Sequence, residues 1–196
     1  DFSIDGVFVP DGYTWPLGPG MTLGKHYDGP LYRFPLVGLY RLPVSAVALG
    51  IAQGALETAM EMAESKPAVV GKGPLRDQPV IQARIADAVA LVSSGRGWLH
   101  AAVQEAWDAT TKGSVSLRAR AELLLAALNA TRRAAEAVQS VYTMAGGSAN
   151  YRRSSLQRSL RDVHAVTQHV GVAPQQWEEA GRMLLGVKPL PPMLLL

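Results

Sequence analysis

Apolar positions recur along this chain with two different periods. In "DFSIDGVFVPDG", Phe2, Ile4, Val7 and Val9 alternate with polar residues until Pro10-Asp11-Gly12, the pattern of a short strand closed by a turn. "YTWPLGPGMTLGKHYDGPLYRFP" then reads as an irregular connector. From Pro43 the period becomes helical. The spacing predicts a first long helix over about 44–66, with Val44, Val47, Ile51, Ala55 and Met62 on one stripe, broken by "PAVVGKGPLRDQP". A second starts near Gln78, carries Ile81, Ile85, Ala88, Val89 and Val92, and continues toward Thr111 before a Lys112-Gly113-Ser114 turn. In the third, Leu117, Ala121, Leu124, Leu128, Thr131, Ala135, Val138 and Tyr142 alternate steps of four and three. That seam belongs to a helix packed nearly antiparallel on other long helices. A fourth begins near Leu156 and carries His164 and His169, and a shorter one follows Pro174.

The pattern predicts an all-α fold, a four-helix bundle over residues 44–186. It is preceded by a short strand and irregular connector over 1–43 and followed by an apolar tail over 187–196. One strand makes no sheet, and the chain opens at Asp1 inside the strand-like run, which suggests a piece of a longer protein. The alanine-rich helix faces also leave apolar surface suited to other copies of the chain, a homo-oligomer.

Composition narrows the function classes. With 48% hydrophobic residues in 196, the chain is large enough for a sizeable core, yet no run reaches the roughly 18 uninterrupted apolar residues of a membrane span. The absence of cysteine removes disulfides and thiolate metal sites and leaves the cytoplasm as the default compartment. A net charge of +3 is too small to suggest nucleic acid without a basic stripe bearing aromatics.

The candidate chemistry lies in "MAGGSANYRRSSLQRSLRDVHAVTQHVGV". Gly146-Gly147 fits a helix C-terminus, where glycine takes a conformation that other residues avoid. That is the plain reading; the functional one is a backbone that a ligand must approach closely, with no Cβ in the way. The hydroxyls and arginines that follow suit an anion, or simply a solvated face. His164 and His169, placed on one helix, would lie about 140° apart, so they cannot share a metal as an i,i+4 pair would. His169 falls on a stripe with Asp162 and Val166, where a hydrogen-bonded core histidine is the plain reading. GxxxxGK[ST], GxSxG and HExxH are all absent. The residues by themselves give an oligomeric helical bundle with a possible anion site.

Taken in order, "VFVPDGYTW", "LRDQPVIQARIADA", "YTMAGGSANYRRSSLQRSLRDVHAVTQHVGV" and "WEEAGRMLLG" resemble the C-terminal part of the acyl-CoA dehydrogenase superfamily, and within it the two-component flavin-dependent monooxygenases. The resemblance implies that residues 1 to about 15 are the last strand of a preceding β-barrel and that the bundle forms tetramers. It also implies that Gly146, Gly147 and Ser148 meet a flavin, often that of a neighbouring subunit. Many dehydrogenases of this family remove the substrate's α-proton with the Glu of a Tyr-Glu-Gly segment. Here those places hold His169, Val170 and Gly171, and valine takes no proton. Some relatives carry the Glu on the first long helix, but no Asp or Glu occurs between Asp28 and Glu57.

The monooxygenase branch carries a histidine facing the flavin at the place of His169. An imidazole suits proton exchange during oxygen transfer from a flavin C4a-hydroperoxide. The implied cofactor is reduced flavin, FMN or FAD, delivered by a separate flavin reductase, and the implied substrate a small aromatic or heteroaromatic compound. His164 would have a supporting role. Two features depart from the dehydrogenase pattern: Thr143 stands where Gln is usual, and the loop cation on the flavin phosphate is Arg76 or Lys72. The rival readings are an acyl-CoA dehydrogenase-like enzyme whose base lies outside this chain, and a non-catalytic helical oligomerisation module.

Overall fold

A computed structural model describes residues 3–14, 25–68 and 73–188. Phe2, connector residues 15–24, Lys72 and the tail from 189 onward lie outside the described residues. Six α-helices follow one another: α1 (Pro30–Arg33), α2 (Leu36–Ser65), α3 (Pro79–Thr111), α4 (Leu117–Ala145), α5 (Ser155–Thr167) and α6 (Gln175–Leu185). Helices α2 to α5 form the predicted four-helix bundle, and α6 packs on α4. The starts of α2 and α4 lie together, since a Cβ at Gly38 would come within 2.5 Å of Leu123 Cδ2. Their ends meet too, where Met62 and Ala145 line one cleft. Helices α2 and α4 therefore run parallel, with α3 and α5 opposed to them.

Helix α4 is the centre, and its sequence shows why. Ser116 caps it, its Oγ accepting from the Ala119 N–H at 3.1 Å, an interaction worth about 1 kcal/mol. The predicted stripe is buried at Ala121, Leu124, Leu128, Thr131 and Val138. Leu124 and Leu128 meet Val37 of α2, Val172 of the turn after α5 and Met183 of α6. A second stripe, absent from the sequence reading, runs through Leu123, Ala127, Ala130, Ala134 and Val141 and faces the core shared with α2, α3 and α5. Alanines dominate it, and alanine on a helix is as common on a surface as in a core.

Helix α2 departs from expectation at its start and along its face. It begins at Leu36, not near Val44, and passes through Pro43. Proline deprives the Leu39 carbonyl of its intrahelical donor. Both residues lie on the exposed side, where solvent can take the donor's place. The predicted stripe mixed faces: Ala55 is buried but Val47 is 56% exposed, and the core side runs through Ala48, Ala52, Ala59 and Ala63. By length and composition α2 could cross a membrane, but here one side of it packs against α4 and α5. In α3, Ile81, Ala88 and Val92 are buried as expected while Val89 is exposed. Residues 3–10, read as a strand, are exposed and pair with no strand among the described residues.

Candidate functional site

Helix α4 stops at Ala145 because Gly146 takes φ 58° and ψ −144°, a region essentially closed to side-chain-bearing residues. Its N–H bonds back to the Thr143 carbonyl. A 3₁₀ turn, Gly146–Asn150, follows, pinned by buried Ala149 and by Tyr142 Oη, which donates to Asn150 Oδ1 at 2.5 Å. A Cβ added at Gly146 or Gly147 would meet no atom within 4 Å, so the glycine pair opens outward. Gly146, Gly147 and Ser148 line a cleft of about 710 Å³ with Met62, Lys66, Leu75, Ile81 and Tyr151. An adjoining cleft of about 460 Å³ shares Met62, Lys66, Ser148 and Tyr151 and adds Arg153. The Arg153 guanidinium lies 5.1 Å from the Tyr151 ring centroid. Bare backbone between Lys66 and Arg153 suits a ligand with an anionic group.

Arg76 occupies the 3₁₀ turn Leu75–Asp77, after a loop closed by the Leu75 N–H to Lys66 carbonyl bond at 2.8 Å. Its side chain is 62% exposed and lies 3.8 Å from the Asp77 carboxylate. It lines a separate cleft of about 360 Å³ with Met60, Glu64 and Ile85, which shares only Ile81 with the glycine cleft. The structure therefore gathers Gly146, Gly147 and Ser148 and leaves Arg76 to one side. The cation of the glycine cleft is Lys66, whose signal was its place at the end of a long apolar helix.

The histidines require a correction. Helix α5 ends at Thr167, so His164 lies in its last turn while His169 lies beyond it. His169 is therefore on no helical stripe, and the 140° relation does not apply. The break was signalled by Gly171 and Pro174, which follow the last periodic residue. His169 sits in a tight turn: its N–H donates to the Val166 carbonyl at 3.0 Å, and its carbonyl accepts from the Val172 N–H at 2.9 Å. Its Nδ1 accepts from the Gly171 N–H at 3.1 Å. In the neutral ring the proton must then sit on Nε2. His169 and Val170 are both exposed.

Arg41, unremarked in the sequence, anchors this turn. It is only 8% exposed. Its Nε donates to the Gly171 carbonyl at 2.9 Å, Nη1 to the Val37 carbonyl at 3.0 Å, and Nη2 to Gln176 Oε1 at 2.7 Å. Burial lowers its pKa and the Glu179 carboxylate raises it in part, but a guanidinium keeps its charge. The signal was a lone charge within the apolar run "VGLYRLPVSAVALG".

His164 belongs to neither group. It lines a cleft of about 690 Å³ between α4, α5 and α6, with Arg84, Arg132, Thr143 and Trp177. The glycine turn and His169 lie at opposite ends of α5, whose 13 residues span about 20 Å.

The family model described as acyl-CoA dehydrogenase, C-terminal domain, matches residues 42–174. Indole-3-acetate monooxygenase of Pseudomonas putida is 31% identical over 192 residues, 97% of this chain and 48% of the relative. The flavin-dependent monooxygenase oxygenase subunit HsaA of Rhodococcus jostii is 26% identical over 186 residues, 88% of this chain and 47% of its own. Among solved structures, XiaF from Streptomyces, in complex with FADH2 and glycerol, superposes with a TM-score of 0.77 at 17% identity, over 85% of this chain and 43% of that one. The chain spans about half the length of the curated relatives it matches.

Proposed function

The chain belongs to the acyl-CoA dehydrogenase family through its C-terminal domain, and from that premise we propose that it is the bundle of a flavin-dependent monooxygenase acting on a small aromatic or heteroaromatic substrate. The observation that carries this reading is the turn after α5. The place of the dehydrogenase base is an exposed valine, Val170, and the residue before it is an imidazole held by its own backbone. The named monooxygenases among the relatives support the same choice.

Reduced flavin, FMN or FAD, supplied by a separate flavin reductase, would activate O₂ so that one oxygen atom enters the aromatic ring and the other leaves as water. The residues present fit such a group. Gly146 and Gly147 have open space where a Cβ would stand, so a flavin's polar chain could lie against the backbone, with Ser148 offering a hydroxyl and Lys66 a charge. Arg76 would reach a phosphate only from the adjoining cleft. His169 is the proposed catalytic residue, working through Nε2, since Nδ1 is engaged by the Gly171 N–H. Because the glycine turn and His169 stand about 20 Å apart, we read the glycine turn as serving the flavin of a neighbouring copy in a homo-oligomer, a tetramer. Residues 1–43 would lead in from a β-domain, and the working compartment would be the cytoplasm.

The test uses the full-length protein with photoreduced FMN or FAD, ¹⁸O₂ and a panel of phenols and indoles, indole-3-acetate included. The expected product carries one ¹⁸O atom, and His169→Ala lowers its yield by about a hundredfold or more. Flavin reoxidation without any labelled product, accompanied by oxidation of an acyl-CoA, would overturn the reading in favour of a dehydrogenase.

A further inference from the structure

We propose that His169 acts as a fixed hydrogen-bond donor through its Nε2–H, not as a base, and that Arg41 is the positioning residue that sets this role by holding Gly171. This rests on the reading above that His169 meets the reacting groups. The connection can be followed atom by atom. Arg41 Nε donates to the Gly171 carbonyl at 2.9 Å, and the Gly171 N–H donates to His169 Nδ1 at 3.1 Å. Gly171 is pressed between the two side chains: a Cβ there would lie 3.2 Å from Arg41 Cγ and 3.2 Å from His169 Nδ1. The Val172 N–H to His169 carbonyl bond at 2.9 Å and the burial of Val172 against α4 and α6 close the turn from the other side.

The chemistry follows from the acceptor at Nδ1. A neutral imidazole carries one N–H, and a nitrogen that accepts from a backbone amide is not the one that bears it. For Nε2 to take a proton from substrate, the ring would first have to move its own proton to Nδ1 and break the bond from Gly171. Left intact, the turn leaves the exposed ring with its proton on Nε2, held at Nδ1 by the Gly171 N–H. Such a donor stabilises negative charge developing on an oxygen with no net proton transfer, and removing one donor of this kind typically costs about a hundredfold to a thousandfold in rate. Arg41 reaches α2, the turn and α6 together through Val37, Gly171 and Gln176, so it keeps the amide aimed while touching no reacting atom.

The first measurement is a long-range ¹H–¹⁵N spectrum of the ring nitrogens in the full-length protein, under alkaline conditions where the ring is neutral, with His169 assigned by its loss in His169→Gln. The expected wild-type spectrum shows two well-separated nitrogen signals with the proton on Nε2. Averaged shifts, as in an imidazole free in water, would overturn the proposal without any variant. Arg41→Met is expected to move the pair toward the average and Arg41→Lys to restore part of the separation, whereas an unchanged spectrum in folded Arg41→Met removes Arg41 from the scheme.

The second arm is turnover. Glutamine has an N–H donor and no basic nitrogen, so a donor role predicts that His169→Gln stays within about tenfold of wild type while His169→Ala falls about a hundredfold. Equal losses in both variants would return His169 to the role of base and sink the proposal. A wild type with the Nε2–H form that hydroxylates nothing would defeat the monooxygenase reading, and the donor role with it, leaving only the Arg41–Gly171 geometry.

Discussion

At the Ser155 end of α5 the glycine turn presents bare backbone, whereas at the Thr167 end an exposed histidine stands on a turn that Arg41 ties back. The glycine turn has little inside it to distort: nothing stands within 4 Å of where a Cβ would be at Gly146 or Gly147. The His169 turn is crowded, and a buried guanidinium ties it to two helices. The first end is built to be approached and the second to hold still. A cofactor's polar chain needs room and backbone partners, while a group acting on a reacting atom needs a fixed direction. Substitutions at the two ends should accordingly fail in different ways.

The largest effect is expected from Arg41→Ala. It leaves the Val37 and Gly171 carbonyls and Gln176 without their charged donor in a buried place, at a cost of about 3 kcal/mol. Chemical denaturation of the isolated chain measures this directly, and a loss below about 1 kcal/mol would mean that the brace is ornamental. Gly146→Ala comes next, at about 2 kcal/mol, from backbone conformation alone, since the added methyl meets nothing. Gly171→Ala should cost about 1 to 2 kcal/mol through crowding against Arg41 and His169, and it should move the His169 ring signals, which Gly146→Ala should not.

The smallest stability effect gives the sharpest contrast. Gly147→Ala is expected within about 0.5 kcal/mol of wild type yet to weaken flavin binding by the full-length protein about tenfold, read by titration of flavin fluorescence. Unaltered affinity would dissolve the distinction between an end made for approach and an end made for rigidity.

How far these ends could be read in the sequence follows from what each is made of. The glycine turn was legible, because Gly146-Gly147 interrupts twenty-odd residues of helix formers and few local structures explain that. The bundle was legible for the same reason: Leu124, Leu128 and Val138 recur at a spacing only a packed helix needs. The His169 end was legible only in the punctuation of Gly171 and Pro174. Its helix was carried two residues too far, because nothing in Gln168 or His169 forbids a helix, and the stop depends on Gly171, Pro174 and a guanidinium 130 positions earlier in the chain. Arg41 itself lay in a stretch taken for connector, since Pro43 reads as a helix start when it in fact lies inside α2. A contact made across such separation leaves no periodic trace. The alanine stripe of α4 was hidden by chemistry, not distance: a methyl group marks a close approach only once its partner is known.

The length of α5 has one further consequence. Free-energy changes at sites more than about 7 to 10 Å apart with no shared partners are close to additive, and the 13 residues of α5 hold the two turns at about twice that separation. Changes made at one turn should therefore leave the other's energetics untouched. A lineage, or an engineer, could reshape the His169 turn without renegotiating the conformation of the glycine turn.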